Sequence, residues 1–235
     1  TTRNLGKLIA LSLITSTMLH ATNGDTLIAI GAKARGMGGV GIAMSHGAES
    51  GISNPALITT VKSSEISFGG TVFMPDISTQ MAGAAQHTSD NDMNVIPAVS
   101  LAHKIDQNWY VGIGMWGTAG LGVDFEDAPQ GPTDSGNLHM LTNLQLMQFG
   151  VPIAYKTEGL SVAIAPVLQY GSLDINYQGF DGSSVGSGVA QDLVFGFNVG
   201  ATYDFANGLT LGAVYKSKIE MDYSNQLSNA TQPFA

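Results

Sequence analysis

Gly31-Ala32-Lys33-Ala34-Arg35-Gly36-Met37-Gly38-Gly39-Val40-Gly41-Ile42-Ala43, followed after eight residues by Ile52-Ser53-Asn54-Pro55-Ala56-Leu57-Ile58-Thr59, decides how the rest of this chain is read. Gly36, Gly38 and Gly41 satisfy G-x-G-x-x-G, and Leu27-Ile28-Ala29-Ile30 before them has the composition of a strand. That is the dinucleotide-binding fingerprint, which requires a helix opening at the third glycine. The chain instead continues Ala43-Met44-Ser45-His46-Gly47-Ala48-Glu49-Ser50-Gly51, and glycine opposes a helix interior. No alternation of strands and helices appears later. A second alternative is an ordinary glycine-rich loop.

Composition points to a membrane wall. Only 11% of the 235 residues are charged and 44% are hydrophobic, against roughly 25% charged in a soluble domain. After residue 21 no run reaches the ~20 apolar residues of a spanning helix. Apolar residues spread over alternate positions suit a transmembrane β-barrel. The 30 glycines suit its turns and a crowded lumen. A net charge of −9 argues against a nucleic-acid partner. The absence of cysteine excludes disulfides and thiolate metal sites. Residues 1–21 read as a secretory signal peptide. Arg3 and Lys7 supply the positive region, an apolar core starts at Leu8, and Ala21 sits at the cleavage position.

Beyond residue 62 the chain alternates with period two. Leu193, Phe195, Phe197, Val199, Ala201, Tyr203 and Phe205 share one face; Val194, Gly196, Asn198, Gly200, Thr202 and Asp204 share the other. Such a pattern is a strand with an apolar and a polar-small face. Strands are expected near 64–74, 94–104, 109–118, 141–156, 159–177, 191–205 and 208–223. Tight turns at 106–108, 157–158 and 206–207 alternate with long polar segments at 75–93, 119–140 and 178–190. Short turns at one rim and long loops at the other mark an outer-membrane barrel. Trp109, Tyr110, Tyr155, Tyr203 and Phe205 fall at the short-turn end; Tyr170, Tyr177, Phe180 and Tyr223 fall toward the other. Two aromatic girdles fit two bilayer interfaces.

The glycine-rich run with Arg35, Gly36, Gly38 and Gly39, the Asn54-Pro55-Ala56 motif and the strands up to about residue 223 together resemble the FadL/TodX family of outer-membrane transporters for hydrophobic compounds. The resemblance implies an all-β fold, a transmembrane antiparallel barrel of fourteen strands with an N-terminal plug inside the lumen. On that basis residues 1–21 are the signal peptide, 22–62 the plug and 63–235 the N-terminal half of the barrel. It further implies the outer membrane of a Gram-negative bacterium, a monomer amid lipid and lipopolysaccharide, a hydrophobic small-molecule ligand, and neither cofactor nor catalysis. Passive uptake of long-chain fatty acids is the expected function. Import of neutral aromatic hydrocarbons in the manner of TodX, or a non-transporting structural or adhesive role, are the alternatives.

The residues carry no catalytic pattern. His20, His46, His87, His103 and His139 lack metal-binding spacing, and no Gly-x-Ser-x-Gly occurs. Asp90, Asp92, Asp124, Glu126 and Asp127 read as a solvated acidic rim, or as carboxylates sharing a divalent cation with lipopolysaccharide. Gly117, Thr118, Gly120 and Gly122 lie at a strand end, where glycine marks a bulge or kink. The resemblance implies that this third strand opens a lateral gap. Lys216 and Lys218 are the candidate contacts for a ligand carboxylate, with internal pairing to Glu220 and Asp222 as the competing role. The basic residue that the family would place late in the fifth strand is missing: Leu173-Asp174-Ile175-Asn176-Tyr177-Gln178 carries an aspartate instead, which weakens the fatty-acid reading and leaves room for a neutral hydrocarbon.

Overall fold

The computed structural model describes residues 27–81, 83–132, 136–179, 182–186, 188–205 and 207–223. The signal-peptide expectation for 1–21, Phe180 and the last twelve residues lie outside them. The strands are β1 (Ser64–Phe73), β2 (Ser78–Thr79), β3 (His87–Thr88), β4 (Asn94–Lys104), β5 (Trp109–Phe125), β6 (Met140–Gly150), β7 (Ile153–Thr157), β8 (Leu160–Gln178), β9 (Ser184–Val185), β10 (Ala190–Asp204) and β11 (Thr210–Lys216). One antiparallel sheet runs β1-β4-β5-β6-β8-β10-β11, with β7 pairing β5 and β8, and β9 pairing β8. β2 and β3 form a separate small hairpin. Among the described residues, no helix is long and apolar enough to cross a membrane.

Alternation sorts the two faces. Along β8, Ser161, Ala163, Ala165, Val167 and Gln169 are buried, whereas Val162 and Ile164 are exposed. Phe68 is 86% exposed and Phe195 78%. A water-facing sheet would not present such a surface, but a lipid-facing wall must. Residues 27–63 contribute no strand and lie against the opposite, inner face. There the 3-10 turn Pro55–Thr60 packs on β4, β5, β7, β8 and β10. Its Ile58 joins Ala48, Ala102, Tyr110, Ala154 and Ala163 in a buried apolar cluster.

Four features differ from the sequence expectation. The fourth crossing is split into β6 and β7 at Val151-Pro152, because proline has no N–H for the ladder. The third extends to Phe125 instead of stopping at 118. The seventh ends at Lys216, where the Ser217 hydroxyl accepts the Phe197 N–H at 2.9 Å in place of a backbone carbonyl. Beyond it, Ile219 and Met221 lie over inner-face Gly196 and Gly171. Tyr110 is buried on the inner face, 5.8 Å below the Lys104 ammonium, and is not part of an outer aromatic girdle. Trp109 and Tyr155 do pair there, edge to face at 5.1 Å.

Candidate functional site

Asn54 anchors the N-terminal segment to the sheet. Its side chain is fully buried. The Nδ2 group donates to the Ile42 carbonyl at 2.7 Å and reaches the carbonyls of Ala201 and Ala213 at 3.3 and 3.4 Å. Oδ1 accepts the Ala56 N–H at 3.0 Å and so caps the turn that Pro55 begins. Two wall glycines make room. A Cβ at Gly200 would collide with Asn54 Oδ1, and one at Gly212 with the Ile42 carbonyl. Ala56 is itself buried, and Thr59 donates to the Ser161 hydroxyl on β8 at 2.9 Å.

Arg35 and its glycines sit one layer in. Ala32–Gly36 forms a single helical turn, closed by Gly38 (φ 71) and Gly39 (φ 89), whose left-handed backbone favours glycine. Gly36 has open space where a Cβ would be. Gly41 lies in no helix, so the nucleotide fingerprint has no structural counterpart. Arg35 Nη2 donates to the Ala29 carbonyl at 3.0 Å. Buried Glu49 holds the turn in place. Its Oε1 accepts the N–H groups of Lys33 and Ala34, each at 3.0 Å, and its Oε2 accepts from Ser67 on β1 at 3.3 Å. Lys33 Nζ donates to the His46 carbonyl at 3.0 Å and lies 3.8 Å from Glu65 on β1. Glu49→Ala strands two backbone donors, at roughly 1–3 kcal/mol each when buried. Cleavage of the folded protein by a dilute protease within residues 31–49 is therefore expected to accelerate at least tenfold, with the strands of the sheet left uncut.

A cleft opens between β4 and β5. Their pairing runs from Lys104↔Tyr110 to Ala98↔Trp116 and stops. Above that point β4 continues on β1 alone, from Pro97 to Asn94, while β5 continues on β6 alone. The β5–β6 register shifts between Gly117 and Ala119, leaving Thr118 as a bulge. The upper end is bridged: Asp90 N–H bonds the Asp124 carbonyl at 3.0 Å, and Asp124 N–H bonds the Ser89 hydroxyl at 2.9 Å. The resulting cavity holds about 270 Å3. Its lining draws on inner-face Leu144 and Leu146 and on outer-face Val95 and Gln145, so it lies within the thickness of the wall. Gly117, Gly120 and Gly122 edge it. A Cβ at Gly117 would strike the Ile96 Cγ2 methyl, and one at Gly122 would lie 2.7 Å from the Thr142 carbonyl. The Thr118 carbonyl accepts the Leu27 N–H at 3.2 Å, which ties the bulge to the N-terminal segment.

The two lysines do not converge. Lys216 lies opposite Asn198 on the inner face. Lys218 forms an exposed ion pair with Glu220. Among the described residues, no group of three His, Asp or Glu side chains is arranged to hold a metal ion. Asp90 and Asp124 meet through backbone, not through their carboxylates. Two site residues escaped the sequence reading. Trp116 is buried and covers Gly114 and Gly150, packing with Ile52, Ala98 and Ile30 directly below the cleft. The inward alternation Tyr110, Gly112, Gly114, Trp116 contains its signal: small residues leaving room for one large ring. Glu49, a lone carboxylate among small residues, had no such signal.

Over residues 25–234 the chain matches the model of a family described as outer membrane protein transport protein (OMPP1/FadL/TodX). A curated relative, an uncharacterized protein in the phosphoenolpyruvate carboxykinase gene 5′ region of Chlorobium limicola, is 39% identical over 95 residues, 40% of this chain and 45% of that protein. Among solved structures, the P. putida toluene transporter TodX superposes with a TM-score of 0.61 at 19% identity, covering 83% of this chain and 55% of that one. A Pseudomonas aeruginosa FadL homologue gives 0.58 at 14% identity, covering 83% and 53%. The chain thus spans about half the length of the proteins it matches.

Proposed function

Because this chain belongs to the OMPP1/FadL/TodX family of outer-membrane β-barrel proteins, we propose that the protein containing it is a channel for passive uptake of hydrophobic small molecules. Long-chain fatty acids are the best-supported class. In this reading residues 27–62 plug the barrel, the long segments at 75–93, 126–139 and 178–190 face the exterior, and ligand leaves sideways through the β4–β5 cleft. The cleft carries the proposal. A greasy molecule gains free energy by never entering water, about 25 cal/mol for each Å2 of apolar surface kept dry. The cleft is mainly apolar, with the amides of Asn91, Asn94, Asn143 and Gln145 among its lining, and provides that route; a polar pore does not.

Lys216 supports a carboxylate headgroup: it is a cation on the inner face with no ion pair among the described residues. Lys218 is discounted by its pairing with Glu220. Lys216→Ala is expected to weaken a long-chain fatty acid by roughly 1.5–3 kcal/mol, the size of a charge-assisted hydrogen bond. An alkane of the same length should bind unchanged. Binding titrations of the purified protein with both ligands check this. Equal losses would remove Lys216 from the site and favour a neutral hydrocarbon, the reading that Asp174 near the end of β8 also supports.

A further inference from the structure

We propose that the outer, lipid-facing surface carries a second binding site for the transported molecule, a trench that receives its alkyl chain as it leaves the cleft. The inference rests on lateral release through that cleft. Register defines the trench. The upper wall is one row of outward side chains on five neighbouring strands: Val99, Met115, Phe149, Leu168 and Phe195, each directly opposite the next. The lower wall is Ile66, Leu101, Ile113, Val151 and Pro166. Between them runs a floor of backbone at Ser100, Gly114, Gly150 and Val167, again in register. The Trp116 ring lies against the inner side of Gly114 and Gly150 and seals the floor from the lumen.

Size and chemistry fit one linear chain. Five strands about 4.8 Å apart give a trench roughly 19 Å long, and rows two residues apart are separated by roughly 6.8 Å. The open trench has a volume of about 670 Å3. No charged side chain lines it. Its upper wall begins where the cleft ends: Val99 and Met115 are the next outward residues below Pro97 and Gly117, which line the cleft. A chain emerging there meets a continuous apolar track running away from the last β4–β5 pair. Membrane lipid could also fill such a trench, but only the transported molecule would depend on the cleft to reach it.

The test uses the full-length protein in the outer membrane of intact cells and a long-chain fatty acid bearing a photoreactive diazirine near its methyl end, supplied in the external medium. Cross-linked peptides are mapped in three proteins: the unaltered one, Gly117→Val/Gly120→Val, which fills the cleft, and Met115→Asp, which places a charge in the trench. Labelling concentrated on β5 and β6 around Met115 and Phe149, reduced at least fivefold in both variants, is the expected result. Equal labelling with the cleft filled means that the probe arrives through the bilayer, and the trench assignment falls. If uptake itself persists with the cleft filled, lateral release falls instead, so the two failures are distinct. Even labelling over the whole outer wall would also overturn the trench.

Discussion

Gly117→Val/Gly120→Val is expected to reduce uptake of a hydrophobic ligand at least tenfold while the barrel still assembles. The argument is steric. Gly117 faces the Ile96 methyl so closely that no Cβ fits, and Gly120 approaches the Leu144 carbonyl, which would lie 3.2 Å from a Cβ. Two valines put branched side chains into a cavity of about 270 Å3 and stiffen a bulged backbone that β-branched residues resist. Ladder pairing below the cleft, from Ala98↔Trp116 to Lys104↔Tyr110, is untouched. Gly120→Val alone avoids the clash with Ile96 and should give an intermediate loss. Radiolabelled fatty-acid uptake by cells, normalised to the amount of heat-modifiable folded protein, reads both. Normal uptake by the folded double variant would eliminate the lateral route.

Asn54→Ala is expected to cost about 2–4 kcal/mol in docking of the N-terminal segment. The side chain is fully buried and bonds four backbone groups on three stretches of chain. Alanine leaves the Ile42 carbonyl and the Ala56 N–H without those partners, at roughly 1–3 kcal/mol each when buried. Asn54→Asp separates the roles. It keeps an acceptor for Ala56 but turns a charged oxygen toward the carbonyls of Ile42, Ala201 and Ala213. It should therefore be worse than alanine, since a buried unpaired charge is costlier than a lost hydrogen bond. The measurements are protease cutting within residues 31–60 and leakage of a small hydrophilic dye, both rising in the order unaltered, alanine, aspartate. An aspartate variant as tight as the unaltered protein would refute the donor role.

Much of this was legible in the sequence because period-two alternation reports burial directly. The outward set Leu193, Phe195, Phe197, Val199 and Tyr203 is exposed throughout, and Asn198, Gly200 and Thr202 are buried. Alternation is blind to events within one crossing. Val151-Pro152 splits a strand through a missing donor, and Ser217 ends one through a competing hydroxyl. Both effects need the partner strand to be seen. The glycines at 117–122 suggested an irregular backbone. That β5 leaves β4 while staying on β6 emerges only from the register. Lys216 and Lys218 looked equivalent by spacing, and the chain's turn after residue 216 separated them. The buried carboxylate of Glu49 was invisible because its partners are backbone groups of Lys33 and Ala34, fifteen and more residues away.

The central claim, that ligand passes through the wall between β4 and β5, is tested most directly by tying those strands together reversibly. These 235 residues contain no cysteine. A Cβ at Gly117 would lie 3.7 Å from the Ile96 Cβ, within the span of a disulfide. In Ile96→Cys/Gly117→Cys the branched methyl that blocks Gly117 is gone, and the bridge fixes the width of the cleft at its narrow end. Uptake should fall at least tenfold when the pair is oxidised and recover when it is reduced, with each single-cysteine variant unaffected by either treatment. Equal uptake by the oxidised and reduced protein would contradict the account.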